Sequence, residues 1–438
     1  MICPIEQRYA SNLNSFFEQE NILKTWLRVE VALAKAHAAV GNIPPQAANE
    51  IEEGAKKVKL ERVLEIEQQI HHDLMAMVKA LEEQCPKYGG YVHYGATSYD
   101  IEDTATALLI SQVAAIFKSD LLQLKNILKE IVKSKKNLVC VGRTHGQHAV
   151  PTTYGLIFAN YLDQLNRAIE LFDKAVELIS VGKMSGAVGT AATFGDKASQ
   201  IKKLVMEELG LKHALVTTQV VSRDRHANLI FCLALIASIL EQIAKDIRNL
   251  SRPEIREIAE GVVKTQVGSS TMPHKKNPHK SERICSLARL IRANVMVALE
   301  NVALEHQRDL TNSANERIII SHSFILVDYM VLQMKNVLSS LEFYPQNIKK
   351  NLELSKGAIL SERVMIALTE AGMSRQKAHE LLRISSWQAQ EKNISLFEVL
   401  SKNKEVMQYL KKEKLKELFD YKTYIGQANE IVEEVLKY

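Results

Sequence analysis

Five stretches of the sequence gather side chains able to move protons or hold anions. The most distinctive is 261–280, GVVKTQVGSSTMPHKKNPHK, where Gly268, Pro273 and Pro278 forbid continuation of the helical pattern found on either side. A segment of this length without regular structure in a compact protein usually has a function. Ser269 and Ser270 supply hydroxyls on flexible backbone, and Lys275, Lys276 and Asn277 follow, the contents of a lid that folds over an anionic substrate. A solvated basic loop would have a similar composition. In 141–153, VGRTHGQHAVPTT, His145 and His148 stand three apart, a spacing two metal ligands can use. Gly142, Gly146 and Pro151 break any helix there, however, and no carboxylate or cysteine nearby completes a ligand set. One histidine acting as acid or base fits better, because its ordinary pKa lies near neutrality. The third stretch is His71-His72-Asp73. In the fourth, His93 is followed by Thr97, Ser98 and Asp100 at the mouth of a helix, where hydroxyls and free N–H groups suit a carboxylate or phosphate, or simply cap the helix. Fifth, Arg308 and Arg317 lie nine apart with Ser313 and amides between them. Such a set suits bidentate anion recognition, though a surface salt-bridge network would look alike.

These groups are scattered over 247 positions, from His71 to Arg317, so long elements must bring them together. Apolar residues at 110, 114, 117, 121, 124, 128 and 131 alternate by four and three, the seam of a long helix packed nearly parallel to others. Residues 155–180 and 284–304 read the same way. The stretch 226–250 is apolar almost all round in its first half and needs enclosure on every side. An oligomeric bundle supplies that more readily than one chain, which places the 229–240 helix, Leu233 and Ile236 included, at an interface between copies. Breaks at 85–99 and 343–348 predict three helical parts, 1–98, 99–345 and 346–438; one continuous helical domain with kinks is the plainer alternative.

Composition narrows the class further. The chain has 438 residues, 18 glycines and 9 prolines, too few turn-formers for a loop-rich all-β protein. A net charge of +5 is far short of a nucleic-acid-coating protein. Five separated cysteines without a CxxC pair encode neither a disulfide framework nor a zinc knuckle. No secretory pattern opens the chain, and its longest apolar run, 229–240, is too short to span a bilayer. A soluble, cytoplasmic, all-α protein is expected, with no membrane or nucleic-acid partner. P-loop, dinucleotide-fingerprint and zincin patterns are all missing.

Together the motifs resemble the fumarase/aspartase superfamily and, within it, the adenylosuccinate lyase family. GSSTMPHKKNP (268–278) is similar to the superfamily loop GSSxMPxKxNP. His274 fills its variable slot as in adenylosuccinate lyases, where fumarases have Gly and argininosuccinate lyases Gln. Arg8-Tyr9, HYGATSYDIEDTA (93–105), GRTHGQHAVPTT (142–153), TTQVVSRDRHA (217–227) and RDLTNSANERI (308–318) extend the likeness over nearly the whole chain. A carboxymuconate cycloisomerase shares much of the loop and is the nearest competitor.

The resemblance implies a β-elimination that releases fumarate from adenylosuccinate, giving AMP, and from the succinyl-carboxamide imidazole ribonucleotide. It implies no cofactor and no metal. Ser269 is the implied general base, although the residues alone do not separate it from Ser270. His145 is the implied general acid, oriented by Glu282, with His72 a second histidine near the leaving group and the alternative proton donor. Lys275, Asn277, Thr97, Ser98 and Thr144 match carboxylate ligands, and Gln219 a contact to the base or succinyl part. His93 is placed near the phosphate and Asp73 among the substrate contacts. Arg8, Tyr9, Arg308, Ser313 and Arg317 match phosphate and ribose binders. The implied assembly is a homotetramer around a core of long helices, five per subunit, with each active site drawn from three chains.

Overall fold

The computed structural model describes residues 4–261, 272 and 274–438. The chain opens with α1 (Gln19–Ala39), α2 (Pro45–Ala55), α3 (Leu60–Ile70) and α4 (Asp73–Glu82). Pro45 stands in the first turn of α2, where its missing N–H costs nothing. Between α3 and α4 the backbone turns at His71, left-handed at φ +55°, and the His72 ring caps α4 by accepting the Met75 N–H at 3.4 Å.

α5 (Ser98–Lys135) follows, 38 residues and so about 57 Å long. Asp100 reaches back to the Thr97 N–H at 2.9 Å and fixes its start. All seven seam residues from Ile110 to Ile131 are buried, as their spacing predicts. β1 (Val139–Thr144) and β2 (Gln147–Thr153) then form an antiparallel hairpin. The exclusion of a helix there holds, and the strands are what the periodicity does not show. His145 and Gly146 form the two-residue turn, at φ +53° and +75°, the double left-handed geometry that matches strand twist. Asn-Gly is the usual pair for that turn, and His-Gly hides it from a sequence reading. α6 (Tyr154–Ile179), β3 (Val181–Gly182), α7 (Ala198–Leu209), β4 (Lys212–His213) and α8 (Asp224–Leu250) come next, then β5 (Ile258–Ala259), α9 (His279–Glu300), α10 (Ser313–Ser339), β6 (Glu342–Phe343) and α11 (Pro345–Glu353). Short helices α12 (Ser361–Glu370), α13 (Arg375–Glu391), α14 (Leu396–Ser401), α15 (Lys404–Tyr409), α16 (Lys412–Leu418) and α17 (Ala428–Leu436) complete the chain.

The chain divides into two compact units, one of residues 1–122, 167–240 and 284–332, the other of 123–166, 241–283 and 333–438. In the first, Leu33, Ile51, Leu74, Met77, Leu81 and Ile101 are buried in one core. Phe117, Phe172 and Phe324 meet there edge to face, with Phe117 5.2 Å from Phe172 and 6.2 Å from Phe324. In the second, Val364, Leu368, Leu382, Leu400, Val406 and Leu415 form a core among the last helices. Val141 of β1 is buried with Leu352, Ile359 and Leu360.

Two expectations change here. Leu233 and Ile236 are both 0% exposed within a single chain, so enclosing α8 does not require a second copy. The face of α8 left open carries Asn228 and Phe231 instead. Secondly, α5, α8 and α10 are each long and apolar enough to cross a bilayer by length and composition. The 12-residue run 229–240 understates this, because scattered polar residues interrupt stretches that remain apolar on average. Their apolar side chains are largely committed to the protein interior, most fully in α8, where 72% of the apolar window is buried.

Candidate active site

In the first unit, a cluster of charged and hydroxyl side chains grows from the starts of three helices. Asp73 opens α4; its Oδ1 accepts the Leu74 N–H at 2.8 Å, and its Oδ2 accepts from Arg317 Nη2 at 2.5 Å. Arg317 lies in the second turn of α10, whose first residue is Ser313. The Tyr99 hydroxyl donates to Ser313 Oγ at 3.2 Å. Arg308 stacks its guanidinium 3.9 Å from the centre of the Tyr99 ring and donates to Asn312 Oδ1 at 3.0 Å. Asp73 thus lies with Arg317, and Arg308 with Ser313 around Tyr99, a residue the motif reading did not single out. Asp73, Ser313 and Arg317 line a cavity of about 430 Å³ whose wall also holds Trp26, Glu102, Arg223 and His226.

A buried ion triad holds this cluster in place. Arg223 donates to both oxygens of Asp103, at 2.8 and 2.9 Å, and to both oxygens of Glu316, at 3.0 and 3.2 Å. These bonds fix the residue just before α8 against α5 and α10. Burial alone would raise the Asp103 pKa, but the Arg223 guanidinium overrides it and holds the carboxyl low. His226 goes the other way: burial, helped by Arg223, lowers its pKa and keeps the ring neutral. Motif reading missed Arg223, Asp103 and Glu316 as positioning groups, although all three lie within the recognised motifs.

The remaining candidates of this unit have other partners. His93 sits at φ +57° with its Nδ1 2.6 Å from Glu30. Burial opposes its charge, but the Glu30 carboxylate outweighs burial and raises the pKa. Thr97 and Ser98 stand at the head of α5, where Asp100 also takes Lys183 Nζ at 2.5 Å and the Ser185 N–H at 2.8 Å. The Gln219 N–H donates to the Gln307 carbonyl at 3.2 Å, next to Arg308 in sequence. Arg8 is exposed, 5.9 Å from the Tyr9 ring, which meets Tyr329 edge to face. His72 keeps 46% of its side chain exposed beside Asp73.

The second unit carries the candidates for proton transfer. Thr144 and His145 are exposed at the hairpin tip. A left-handed φ at a non-glycine residue persists only where its surroundings hold it, and such positions cluster at functional sites. The stem is fixed by the fully buried Glu257, which accepts from Arg143, from the Tyr154 hydroxyl at 2.5 Å and from Asn351 Nδ2 at 2.9 Å. Gly142 is needed in that stem: a Cβ would come within 2.9 Å of the Val150 carbonyl oxygen. Three residues on from Glu257, Glu260 accepts both the N–H and the hydroxyl of Ser281, at 2.7 and 2.5 Å. A carboxylate there satisfies the open N-terminus of α9 and favours its dipole. Glu282 and Lys275 are exposed and Asn277 is half-buried; no hydrogen bond joins His145 to Glu282 within the chain. Ser269 and its alternative Ser270 lie outside the described residues. Glu257 and Glu260 carry no sequence signal, because an acidic residue reads alike whether it is buried or solvated. Among the described residues no group of three or more His, Cys, Asp or Glu could hold a metal ion.

A family described as Lyase matches residues 6–293, and one described as Adenylosuccinate lyase C-terminus matches 357–435. An adenylosuccinate lyase from Pyrococcus abyssi is 54% identical over 99% of this chain and 97% of its own length. One from Bacillus subtilis is 38% identical over 98% and 99%. Among solved structures, a fumarate lyase from Mesorhizobium sp. BNC1 superposes with a TM-score of 0.91 at 28% identity, covering 98% of both chains. A 3-carboxy-cis,cis-muconate lactonizing enzyme from Pseudomonas putida follows at 0.90 and 27%, covering 99% and 98%. Backbone likeness alone therefore does not separate elimination from lactonization, the competing reading of the lid motif. Sequence identity does, and over its full length the chain belongs to the adenylosuccinate lyase family.

Proposed function

We propose that the chain eliminates fumarate from adenylosuccinate to give AMP, and from the succinyl-carboxamide imidazole ribonucleotide to give the carboxamide. The observation that carries this is 54% identity with an adenylosuccinate lyase over 99% of the chain, which also holds the loop motif GSSTMPHKKNP. Incubating the purified protein with adenylosuccinate should release fumarate and AMP in equal amounts. Lactone chemistry on a carboxymuconate, with adenylosuccinate left intact, would reverse the assignment.

The reaction removes a proton beside a carboxylate, builds an aci-carboxylate and then breaks a C–N bond. It needs a base, fixed donors for the developing dianion, and an acid for the departing nitrogen. Ser269 is assigned as the base; Lys275 and the loop N–H groups would stabilise its alkoxide. Lys275, Asn277, Thr97, Ser98 and Thr144 would hold the carboxylates, and Gln219 the base or succinyl part. His145 would protonate the nitrogen with Glu282 orienting it, and His72 would stand beside the leaving group. Arg8, Tyr9, His93, Arg308, Ser313 and Arg317 would take the phosphate and ribose, with Asp73 orienting Arg317. The bond between Asp73 and Arg317 and the Tyr99–Ser313 contact support that anion role.

The absence of a His145–Glu282 bond within one chain supports completion of the site by neighbouring copies in a homotetramer, each site drawing on three chains. Phe231 on α8 and Leu290, Met296 and Leu299 on α9, all more than half exposed, offer the apolar surface such an assembly would cover. Light scattering should give four times the 49.3 kDa chain mass. We assign the functional parts to 1–98, 99–345 and 346–438, and the enzyme to the cytoplasm with its nucleotide substrates.

A further inference from the structure

One carboxyl in the wall of the anion cavity has no part in this scheme. Glu102 lies on α5 with its side chain only 12% exposed. Its Oε2 is 3.6 Å from Arg317 Nη2, too far for a hydrogen bond, while Asp73 Oδ2 takes the same nitrogen at 2.5 Å. Two carboxyl groups therefore address one guanidinium nitrogen, and only one of them bonds it. We propose that Glu102 tunes phosphate binding: protonated, it leaves the Arg317 N–H groups that Asp73 does not occupy to a phosphate oxygen, and ionised, it competes with the phosphate for that guanidinium. This rests on the reading of Arg317 as a phosphate ligand.

Burial and the carboxylates of Asp73 and Asp103 favour the protonated form of Glu102, against Arg317 and Arg308. Asp73 of α4 and Glu67 of α3 line the same cavity, as do Tyr99 and Asp103 beside Glu102 on α5. Arg223 and His226 at the start of α8, and Glu316 and Arg317 on α10, complete the wall, with Arg308 over Tyr99. Asp73, Asp103 and Glu316 already offset the three guanidiniums, and Glu67 adds a further negative charge. An ionised Glu102 would enlarge that surplus where a phosphate must enter. Burial, with repulsion from Asp73, pushes its pKa up to about 8, against the pull of Arg317. Its perturbed neighbours move out of this range: Asp103 and His226 are shifted down and burial pushes Tyr99 up.

The test is the pH dependence of KM for adenylosuccinate between pH 7 and 9.5 in the wild type, Glu102→Gln and Glu102→Leu, with kcat recorded alongside and AMP affinity followed by calorimetry. In the wild type, KM should rise about tenfold by pH 9 as the competent fraction falls. In both variants KM should stay flat while kcat keeps the wild-type pH profile, and AMP affinity should follow KM. Either folded variant suffices, and a wild-type alkaline rise in KM there overturns the proposal. Arg317→Ala separates the two levels. If it leaves KM unchanged, the phosphate reading fails and this inference with it. If it raises KM while Glu102→Gln keeps the wild-type slope, only the role of Glu102 is wrong.

Discussion

The anion cluster of the first unit and the histidine hairpin of the second treat their functional groups in opposite ways. Arg317 is paired to Asp73, Arg308 lies on Tyr99, and the Arg223 triad fixes the helices beneath them. The chain thus preorganises its own binding groups, so little ordering is left for the ligand to bring about. At the hairpin the order is inverted. The stem is locked through Glu257, whereas His145 at the tip is exposed and, among the described residues, has no hydrogen bond to Glu282 or another carboxylate. A general acid needs an orienting partner. Under the roles proposed for Arg317 and His145, the contrast sets a preorganised anion site against an acid that lacks an orienting partner, which is the physical reason for proposing that neighbouring copies complete the active site.

The comparison predicts separable losses. His145→Ala should lower kcat by about 10²–10⁴-fold, the usual range for a positioned acid, and Ser269→Ala by at least as much. A loss confined to KM would merge the two regions into one.

Next in size is the hairpin stem. Glu257→Ala leaves Arg143 without its buried partner, which typically costs about 3–5 kcal/mol. Differential scanning calorimetry should show a clear fall in Tm, with much less in Glu257→Gln, which keeps an acceptor. Equal falls in both would mean that the charge, not the acceptor geometry, holds the stem.

The smallest effect lies in the anion cavity. Because Glu102 titrates near pH 8 when folded, the native state retains a proton that the unfolded chain releases above about 4.5. Wild-type stability is therefore lost as pH rises through that window. Glu102→Gln cannot ionise, so its Tm should exceed the wild type by a few degrees at pH 8.5 and match it at pH 5. A Tm difference independent of pH would mean that Glu102 does not titrate in the window.

What the sequence shows of this contrast follows from where each signal resides. The α5 seam is legible because burial on one face imposes a 3.6-residue period, and the anion cluster because its residues fall within short motifs. The hairpin is not, since His-Gly stands where Asn-Gly would advertise the turn and Pro151 speaks against a strand. In a two-stranded hairpin Pro151 is tolerated opposite Val141, because an edge strand need not donate every N–H. Glu257 and Glu260 are illegible for another reason: a buried acceptor of several hydrogen bonds and a solvated carboxylate are the same letter. The enclosure of α8 misled in the same manner, as an all-round apolar helix reads alike whether one chain or four surround it.

Separate roles for the two regions are tested most directly by measuring adenylosuccinate affinity and turnover on the same two variants. Kd comes from calorimetry under conditions too brief for conversion, and kcat from fumarate release. His145→Ala should bind within about twofold of the wild type while kcat collapses by at least 10², and Arg317→Ala should lose affinity about tenfold or more with kcat largely kept. Loss of both affinity and turnover in His145→Ala, or unchanged affinity in Arg317→Ala, would contradict the division.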